Sequence, residues 1–592
     1  MNIVCDIETA GLEIDTPIHY VGFYYEDAKE NFVAFKLPND RVELKQFIIN
    51  KEREGARWAY HNGKFDAARL LYSYGIDMKI THDTMILAYL CSTVDELKEN
   101  RGKWLGLKHV APRILKVDNW DISKDKKTST EDDDVLPYLE KDCKYTYMLL
   151  QKFLQILPKE RIPTYRLIIE ACNAYKYAEI NGLPIDTDQL QETLEYFLEE
   201  EKKVDDELKK YADINYNSPK QLCDLLFTQL GLPIISTTKS GMPSTGVAEL
   251  IELQGQHPII DVILKKREVE KALGFLKSWD EVKVQHEDGT YRVHSNFNMH
   301  GTVTGRTSSS DVNLQQIPRN KKLKSLFKST IPGWQLVCLD YSQLELRFAG
   351  LVADVPAIKE AYRNSIDLHT QMAALIAGKE QEDVTKEERT SAKAANFGYL
   401  YGMSAASFVS YAKMSYGVTV TLEEATNIRN NFFASYPELL DYYDKVRFDM
   451  MNYCKQTSIM GREYELTPWK LANPYERENW LRPAINFPVQ SAGSDYVICG
   501  LIEVTNTPSL KNNVKVCATV HDSIIALVRE DDGKFAERVT KIKSIMENPK
   551  LAKQLLTIDI DIPIVVDIEI GALGKGVSLE EYMEVHSESR YF

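Results

Sequence analysis

The 592-residue sequence lacks several features that mark specialised classes of protein. It has no apolar run long enough to span a bilayer, and its N-terminus, MNIVCDIETAGL, carries two acids where a secretory signal needs basic and then apolar residues. Its nine cysteines form no C-x-x-C pair, and their odd number also argues against a disulfide framework. We therefore expect a protein with reduced thiols that stays in the compartment where it is made.

Basic charge is also scarce, because 72 lysines and arginines face 87 acidic residues and leave a net charge of −15. Binding to a polyanion depends on local patches rather than on net charge. The segment RNKKLKSLFKS (319–329) is one such patch, although alone it is more typical of a solvated surface. Length and a 44% hydrophobic content predict a globular protein of two to four domains.

Three segments near the N-terminus carry acidic side chains in regular patterns. IVCDIET alternates, so Asp6 and Glu8 share one face of a predicted strand. ARWAYHNGKFDAARL predicts a strand, a turn and a helix whose first turn carries Asp66. In DVLPYLEKDCKYTYM, Tyr138 and Asp142 lie one helical turn apart. Each segment alone also fits an edge strand or a surface helix without chemistry.

Two apolar segments of the C-terminal half contain aspartates. WQLVCLDYSQLELRFAG predicts a strand that ends at Asp340 and a helix that carries Glu345. CATVHDSIIALV predicts a buried strand that His521 and Asp522 interrupt. An ionised carboxylate in such a place needs a neutralising partner, so we expect the two strands to bring Asp340 and Asp522 together at a metal pair.

Between these strands, KEERTSAKAANFGYLYGMS (386–404) predicts a helix with Arg389, Lys393 and Phe397 on one ridge. Two cations followed by an aromatic ring suit a helix that binds phosphate and stacks on a base, although an ordinary amphipathic helix has the same pattern. TVTGRTSSSDVNLQQIP (302–318) presents Arg306 in a polar, turn-rich segment, for which a plain connector is the alternative.

The ordered set of motifs resembles two families. The N-terminal segments resemble the DEDD 3′–5′ exonucleases whose last motif is Tyr-x-x-x-Asp. DYSQLELR, the R-x-x-x-K-x-x-x-F-G-x-x-Y-G pattern and VHDS resemble, in order, motifs A, B and C of family A DNA polymerases. TGR with NLQQIP, DLHTQMAA, GREYELTP and RPAINFPVQSAGSD are further landmarks, so the resemblance covers essentially the whole chain.

The resemblance implies an α/β exonuclease domain with a ribonuclease H-like mixed sheet, followed by an α+β right-hand polymerase domain with a palm sheet and helical thumb and fingers. The expected ranges are 1–155 for the exonuclease and 156–592 for the polymerase, divided into thumb and start of palm (156–330), palm (331–350), fingers (351–475) and palm (476–592).

The resemblance also implies the residues of the exonuclease site. Asp6, Glu8, Asp66 and Asp142 would bind two metal ions, Tyr138 would orient the attacking water, and Asn62 would lie near single-stranded DNA. Oxygen ligands indicate Mg²⁺, with Mn²⁺ as the alternative. His61 is interpreted as a local turn residue.

At the polymerase site, Asp340, Asp522 and the backbone of Tyr341 would hold two further Mg²⁺ ions. The residues implied to contact the incoming nucleotide are His369, Arg389, Lys393, Phe397, Tyr401 and Glu345, with Lys393 also donating a proton to pyrophosphate and Glu345 crowding the ribose 2′ position. The residues implied to contact DNA are Arg306, Arg482, Asn486, Gln490 and His521.

The sequence departs from the family pattern at two positions. Ser523 stands where many relatives have Glu, and Lys324 stands where relatives often have Arg. Because the exonuclease motifs begin at the first residues of the sequence, we expect an enzyme without a 5′-nuclease domain, as would suit a phage, organellar or reduced bacterial enzyme.

The predicted function is a template-directed DNA polymerase with a proofreading exonuclease, acting in replication or repair. Its partners would be primer-template DNA, deoxynucleoside triphosphates and single-stranded 3′ ends. We expect a monomer in the cytoplasm of a bacterial or phage-infected cell, or in an organellar matrix. A nuclease with a decayed polymerase half and a single-subunit RNA polymerase are the alternatives. Glu345 and the linked exonuclease weigh against the RNA polymerase.

Overall fold

The computed structural model describes residues 1–26, 31–100, 103–121 and 132–588. The N-terminal part is built on a mixed sheet. Its strands are β1 (Asn2–Thr9), β2 (Ile18–Tyr24), β3 (Phe32–Lys36), β4 (Arg57–Tyr60) and β5 (His82–Asp83). Its helices are α1 (Arg41–Arg53), α2 (Gly63–Tyr74), α3 (Thr84–Leu90), α4 (Val94–Glu99), α5 (Leu107–Leu115) and α6 (Asp132–Ile156).

The strand order β3-β2-β1-β4-β5 places β1 at the centre of this sheet, antiparallel to β2 and parallel to β4. The edge-strand alternative for IVCDIET is therefore wrong, and the predicted mixed sheet is confirmed. Gly22 on β2 is the cross-strand partner of Asp6, and a Cβ at Gly22 would lie 2.7 Å from the side chain of Leu139. The absent side chain lets α6 pack closely on the sheet, which brings Asp142 to β1.

A helical region follows, with its own small core. Its helices are α7 (Ile162–Asn181), α8 (Thr187–Lys209), α9 (Pro219–Cys223), α10 (Val247–Glu252) and α11 (Ile259–Val282), and one π-helical turn spans Asp224–Gln229. Leu208, Leu226, Leu250 and Ile263 belong to a buried cluster that is separate from the main core. Small strands connect this region to the next one: β6 (Leu183–Pro184), β7 (Val284–Gln285), β8 (Tyr291–Val293), β9 (Asn296–Asn298) and β10 (Ser308–Ser310).

The second large sheet is antiparallel throughout and has the order β14-β15-β11-β16. Its strands are β11 (Trp334–Tyr341), β14 (Val514–Val520), β15 (Ser523–Arg529) and β16 (Val566–Ile570). The prediction of one interrupted strand in CATVHDSIIALV is wrong, because Val520 pairs with Ser523 and the segment is a hairpin. His521 takes a left-handed backbone conformation with φ of 54°, which a two-residue hairpin turn of this kind requires. The sequence gives no signal for this turn, because apolar residues flank His521 and Asp522 on both sides as they would in one strand.

The remaining helices come before, between and after the strands of this sheet along the chain. They are α12 (Lys321–Lys324), α13 (Leu344–Val352), α14 (Pro356–Arg363), α15 (Leu368–Ala377), α16 (Lys386–Tyr399), α17 (Ala405–Tyr416), α18 (Leu422–Ser435), α19 (Glu438–Tyr453), α20 (Pro468–Ala472), α21 (Pro474–Asn506), α22 (Phe535–Glu547), α23 (Lys550–Leu555) and α24 (Leu579–Glu588). Strands β12 (Lys455–Thr457) and β13 (Glu463–Glu465) form a hairpin, and 3-10 turns span Lys103–Leu105, Lys159–Arg161, Leu314–Gln316 and Gln381–Asp383. A capping box of Thr385 and Glu388 begins α16, as local sequence favours. Among the described residues, no helix is both long and apolar enough to cross a membrane.

Candidate active sites

The first site lies where β1, α2 and α6 meet. Carboxylate oxygens of Asp6, Glu8 and Asp142 lie within 4.8 Å of one another. Asp66, in the first turn of α2, adjoins them and accepts a hydrogen bond from the backbone N–H of Ile7 at 3.0 Å. The structure thus brings together the four acids that the sequence places on three separate elements.

Burial and mutual repulsion disfavour the ionised forms of these acids. Burial, with repulsion from Asp66, Asp142 and Glu8, raises the pKa of Asp6 well above its usual range. Burial also raises the pKa of Asp66 to about 7. A buried set of oxygen ligands with raised pKa values fits a hard divalent cation, because bound positive charge would relieve the repulsion.

Lys108 is a member of this site that the sequence motifs do not identify. Its ammonium group, carried by α5, forms an ion pair with Asp142, to which the indole N–H of Trp120 also donates a hydrogen bond. The ammonium group lies 4.2 Å from the ring centroid of Trp120 and 4.1 Å from that of Tyr138. Tyr138 itself hydrogen-bonds Asp142, so the predicted pairing of phenol and carboxylate is present.

Asp83 organises the turn that precedes Asp66. Its carboxylate accepts hydrogen bonds from the backbone N–H groups of Asn62 and Gly63 at 3.1 and 2.8 Å. Asn62 is partly exposed in a left-handed conformation with φ of 67°. His61 Nδ1 contacts Thr84 Oγ1 at 2.8 Å, as a local turn residue would.

The second site lies at one end of the antiparallel sheet. Asp340 is near the end of β11, and Asp522 lies in the adjoining hairpin turn. The backbone carbonyl of Asp522 accepts a hydrogen bond from Tyr341 N–H at 3.2 Å. Surrounding protein raises the pKa of Asp340 to about 6, with repulsion from Asp522 and Asp567 adding to the shift. Burial raises the pKa of Asp522 against the opposing charges of Arg306 and His521. Both carboxylates fit a cation-binding role.

Asp567 is an acid at this site that no sequence motif identified. It lies opposite Asp340 on β16, while Ser523 lies opposite Asp340 on β15. Ser523 is buried and donates a hydrogen bond to the carbonyl of Val520. The Tyr341 side chain points away into the core, where its hydroxyl group donates to the carbonyl of Met546 at 2.7 Å.

A cavity of about 780 Å³ opens between α16 and α21. The sequence-predicted residues that line it are Glu345, Lys393, Phe397, Tyr401, Arg482 and Asn486, and Arg319 of the basic segment joins them. A neighbouring cavity of about 230 Å³ is lined by Arg306, His521 and Asp522.

Glu345 connects several of the predicted residues. It forms an ion pair with Arg306 and accepts a hydrogen bond from the Tyr401 hydroxyl group at 2.8 Å. Gln490 also hydrogen-bonds Tyr401. These contacts form one polar network that joins Glu345 and Tyr401 of the larger cavity to Arg306 of the smaller one.

Arg389, one turn before Lys393 on α16, is exposed and held by Asp367. Its Nε donates to Asp367 Oδ2 at 2.6 Å. Burial alone would raise the pKa of Asp367. The hydrogen bond and charge of Arg389 outweigh that effect and lower the pKa to about 2. His369, at the start of α15, is buried beside the Phe397 ring, with a centroid distance of 5.8 Å.

Two landmark residues serve the structure rather than the chemistry. Arg462 and Asp495 form a fully buried ion pair, with Nη2 at 2.7 Å and Nε at 3.1 Å from the two carboxylate oxygens. Gly305 has a φ of 79°, and a Cβ there would lie 2.5 Å from the Arg462 guanidinium. The pair therefore supports the turn that presents Arg306.

Known proteins match both parts of this chain. Residues 187–573 match the family model described as DNA polymerase family A, and residues 2–158 match the one described as 3′-5′ exonuclease. The chain is 30% identical to DNA polymerase I of Aquifex aeolicus, and the alignment covers 82% of each chain. It is 25% identical to a DNA polymerase of Bacillus phage SP01, over 88% of this chain and 63% of that one.

DNA polymerase I of Pseudomonas aeruginosa is 30% identical over 83% of this chain, which spans 53% of that relative. Among solved structures, the POL domain of Pol1 from M. smegmatis in complex with DNA primer-template and dNTP has the same fold, with a TM-score of 0.74 at 22% identity over 96% of this chain and 95% of that one. This chain belongs to DNA polymerase family A and carries a 3′–5′ exonuclease domain in its N-terminal part.

Proposed function

We propose that this chain extends a DNA primer on a DNA template and that its N-terminal acidic cluster trims mismatched 3′ ends. The observation that carries the proposal is the meeting of Asp340 and Asp522 at one end of the sheet, next to a cavity lined by Lys393, Phe397 and Tyr401. Arg306, which lines the smaller cavity with Asp522, pairs there with Glu345 of the larger one. Metal-bridging carboxylates, a cation and aromatic side chains are the groups that nucleotidyl transfer needs around one reaction centre.

Asp340, Asp522 and the backbone of Tyr341 would hold two Mg²⁺ ions at the polymerase site. When bound, the ions supply a lowered pKa for the primer 3′-hydroxyl and charge neutralisation for the triphosphate. The side chains would contribute ligands already placed by a hairpin and its neighbouring strand, so little reorganisation accompanies binding.

The triphosphate would bind along α16. Lys393 is exposed at the cavity and would pair with the phosphates and donate a proton to leaving pyrophosphate. Arg389 would leave Asp367 and bind phosphate instead. The energetic cost of this exchange is the loss of one exposed ion pair. Phe397 would stack on the nucleotide, and Glu345 would crowd the ribose 2′ position.

Contacts to the primer-template would come from a second set of residues. Arg306, Asn486, Gln490 and His521 would reach the primer terminus or the minor groove, where correct base pairs share hydrogen-bond acceptors. Arg482, which lines the same cavity as Tyr401, would lie on the template side.

At the exonuclease site, Asp6, Glu8, Asp66 and Asp142 would hold two divalent ions, and Asn62 would contact the single strand. Tyr138 would orient the attacking water, because its hydroxyl group already lies against Asp142. We assign residues 1–155 to this exonuclease and 156–592 to the polymerase, with thumb, palm and fingers divided as the sequence predicts. The protein would act as a monomer in the cytoplasm of a bacterial or phage-infected cell.

Single-nucleotide addition tests the proposal. A labelled primer on templates that differ only in the first unpaired base is incubated with Mg²⁺ and one nucleotide at a time. We expect one added residue only when the deoxynucleotide complements that base. Addition irrespective of the template, or addition of ribonucleotides alone, would reject the assignment as a DNA-directed DNA polymerase.

A further inference from the structure

Asn396 and His369 form a buried polar pair between α16 and α15. Their side chains belong to residues that are 1% and 2% exposed. Asn396 Nδ2 lies 2.9 Å from His369 Nδ1 and 3.3 Å from the carbonyl oxygen of Leu368. The sequence motifs pass over Asn396, because it lies one position before Phe397 and off the ridge of cations.

The Leu368 carbonyl determines the orientation of the Asn396 amide. A carbonyl only accepts hydrogen bonds, so the amide atom that faces it must be the NH₂ group. The second hydrogen of that NH₂ group points to His369 Nδ1, which must therefore be unprotonated. A neutral imidazole with a bare Nδ1 carries its proton on Nε2.

The surroundings keep this imidazole neutral. Burial lowers the pKa of His369 to about 4, and the positive charges of Arg389 and Lys393 add to this shift. The negative charge of Asp367 opposes the shift without cancelling it. In the described part of the chain, His369 Nε2 has no hydrogen-bond partner. A buried N–H group without an acceptor is costly, and the two cations nearby make an anion the fitting acceptor.

We propose that Asn396 is a positioning residue that fixes the tautomer of His369, so that its Nε2–H group donates a hydrogen bond to a phosphate oxygen of the incoming nucleoside triphosphate. The inference rests on the proposed polymerase function for the identity of the anion. In the opposite tautomer, Nε2 would present a lone pair and repel the phosphate. Nε2 has no solvent contact in this conformation, so the phosphate reaches it only when a covering side chain moves.

The tautomer is measured directly by NMR on the wild-type chain labelled with ¹⁵N-histidine, with His369→Gln used to assign the signal among 11 histidines. We expect a proton on Nε2 and a bare Nδ1 at neutral pH. A proton on Nδ1 would overturn the proposal. This result does not depend on polymerase activity, so it is separate from a failure of the proposed function.

A double-mutant cycle tests the consequence for binding. We expect Asn396→Leu to raise the KM for the complementary deoxynucleotide about tenfold, the effect of one hydrogen bond to a charged group, with a smaller change in kcat. In a His369→Ala background the same substitution should have no further effect, because the two residues act as a unit. Additive effects would overturn the proposal.

Asn173→Leu is the matched control. Asn173 also donates from Nδ2 to a backbone carbonyl, that of Ile80 at 2.9 Å, but lines neither cavity of the polymerase site. Its KM should equal that of the wild type. If Asn396→Leu does not fold, Asn396→Ser replaces it in the cycle, and the wild-type spectrum still decides the tautomer.

Discussion

Lys108→Met should destabilise the metal-free exonuclease region and increase its response to metal. The ammonium group of Lys108 is the cation paired with Asp142, and the two side chains are only 17% and 10% exposed. Removal of one partner from a buried pair leaves an uncompensated charge, which costs roughly 3–5 kcal/mol. We take about 3 kcal/mol, because Lys108 retains some contact with solvent and methionine keeps most of its packing against Trp120 and Tyr138.

For a domain of this size, each kcal/mol corresponds to about 2–4 °C in melting temperature, so the expected fall is about 6–12 °C in EDTA. With Lys108 removed, its ammonium group no longer competes with metal for the acidic cluster. Saturating Mn²⁺ should therefore stabilise the variant more than it stabilises the wild type, and calorimetric titration should show tighter Mn²⁺ binding.

Lys176→Met is the matched control for this experiment. Lys176 is a buried lysine whose ammonium group lies 2.5 Å from Asp77 Oδ1, outside the acidic cluster. The control should lose stability without any change in its response to Mn²⁺. Equal metal responses in the two variants would refute the reasoning about Lys108, as would a metal-free Lys108→Met protein as stable as the wild type.

Three further outcomes follow from the polymerase part. The pKa of Asp340 is raised from 3.8 to about 6, so its contribution to stability is present below pH 4 and lost as the pH rises through about 6. Metal binding reverses that loss. The Mg²⁺-induced rise in melting temperature should therefore be larger at pH 8 than at pH 5. Glu345→Ala should increase ribonucleotide incorporation relative to deoxynucleotide by about tenfold or more, the scale of a lost contact in a specificity pocket, as single-turnover addition would measure. Asp495→Asn leaves the Arg462 guanidinium buried without its counter-charge, which should lower the free energy of unfolding by about 3–5 kcal/mol. Thermal unfolding measures this loss, and an unchanged melting temperature would argue against the pair as a structural support.

Local sequence patterns predicted the placement of most site residues. Alternation in IVCDIET puts Asp6 and Glu8 on one face of a strand, and the turn before GKFDAARL puts Asp66 in the first helical turn. These features depend on backbone periodicity within a few residues, which the sequence encodes directly. The strand that carries Asp340 near its end followed in the same way, whereas the mixed N-terminal sheet was predicted from the family resemblance.

The features that the sequence did not reveal depend on contacts across long separations. Lys108 reaches Asp142 from a different helix, and Arg462 finds Asp495 33 residues further along the chain. Neither pairing has a local pattern, because partner choice follows from the packing of whole elements. The hairpin at His521 was missed for a different reason, since its two polar residues are flanked by apolar runs that resemble one continuous strand.

Primer extension with two active-site variants tests the central claim most directly. A labelled primer on a DNA template is incubated with Mg²⁺, with and without the four deoxynucleotides, for the wild type, Asp522→Ala and Asp6→Ala. The account predicts that Asp522→Ala abolishes extension and still shortens the primer, whereas Asp6→Ala extends the primer and no longer shortens it. A wild type that only shortens the primer, or one substitution that removes both activities from a folded protein, would contradict two separate metal-dependent sites.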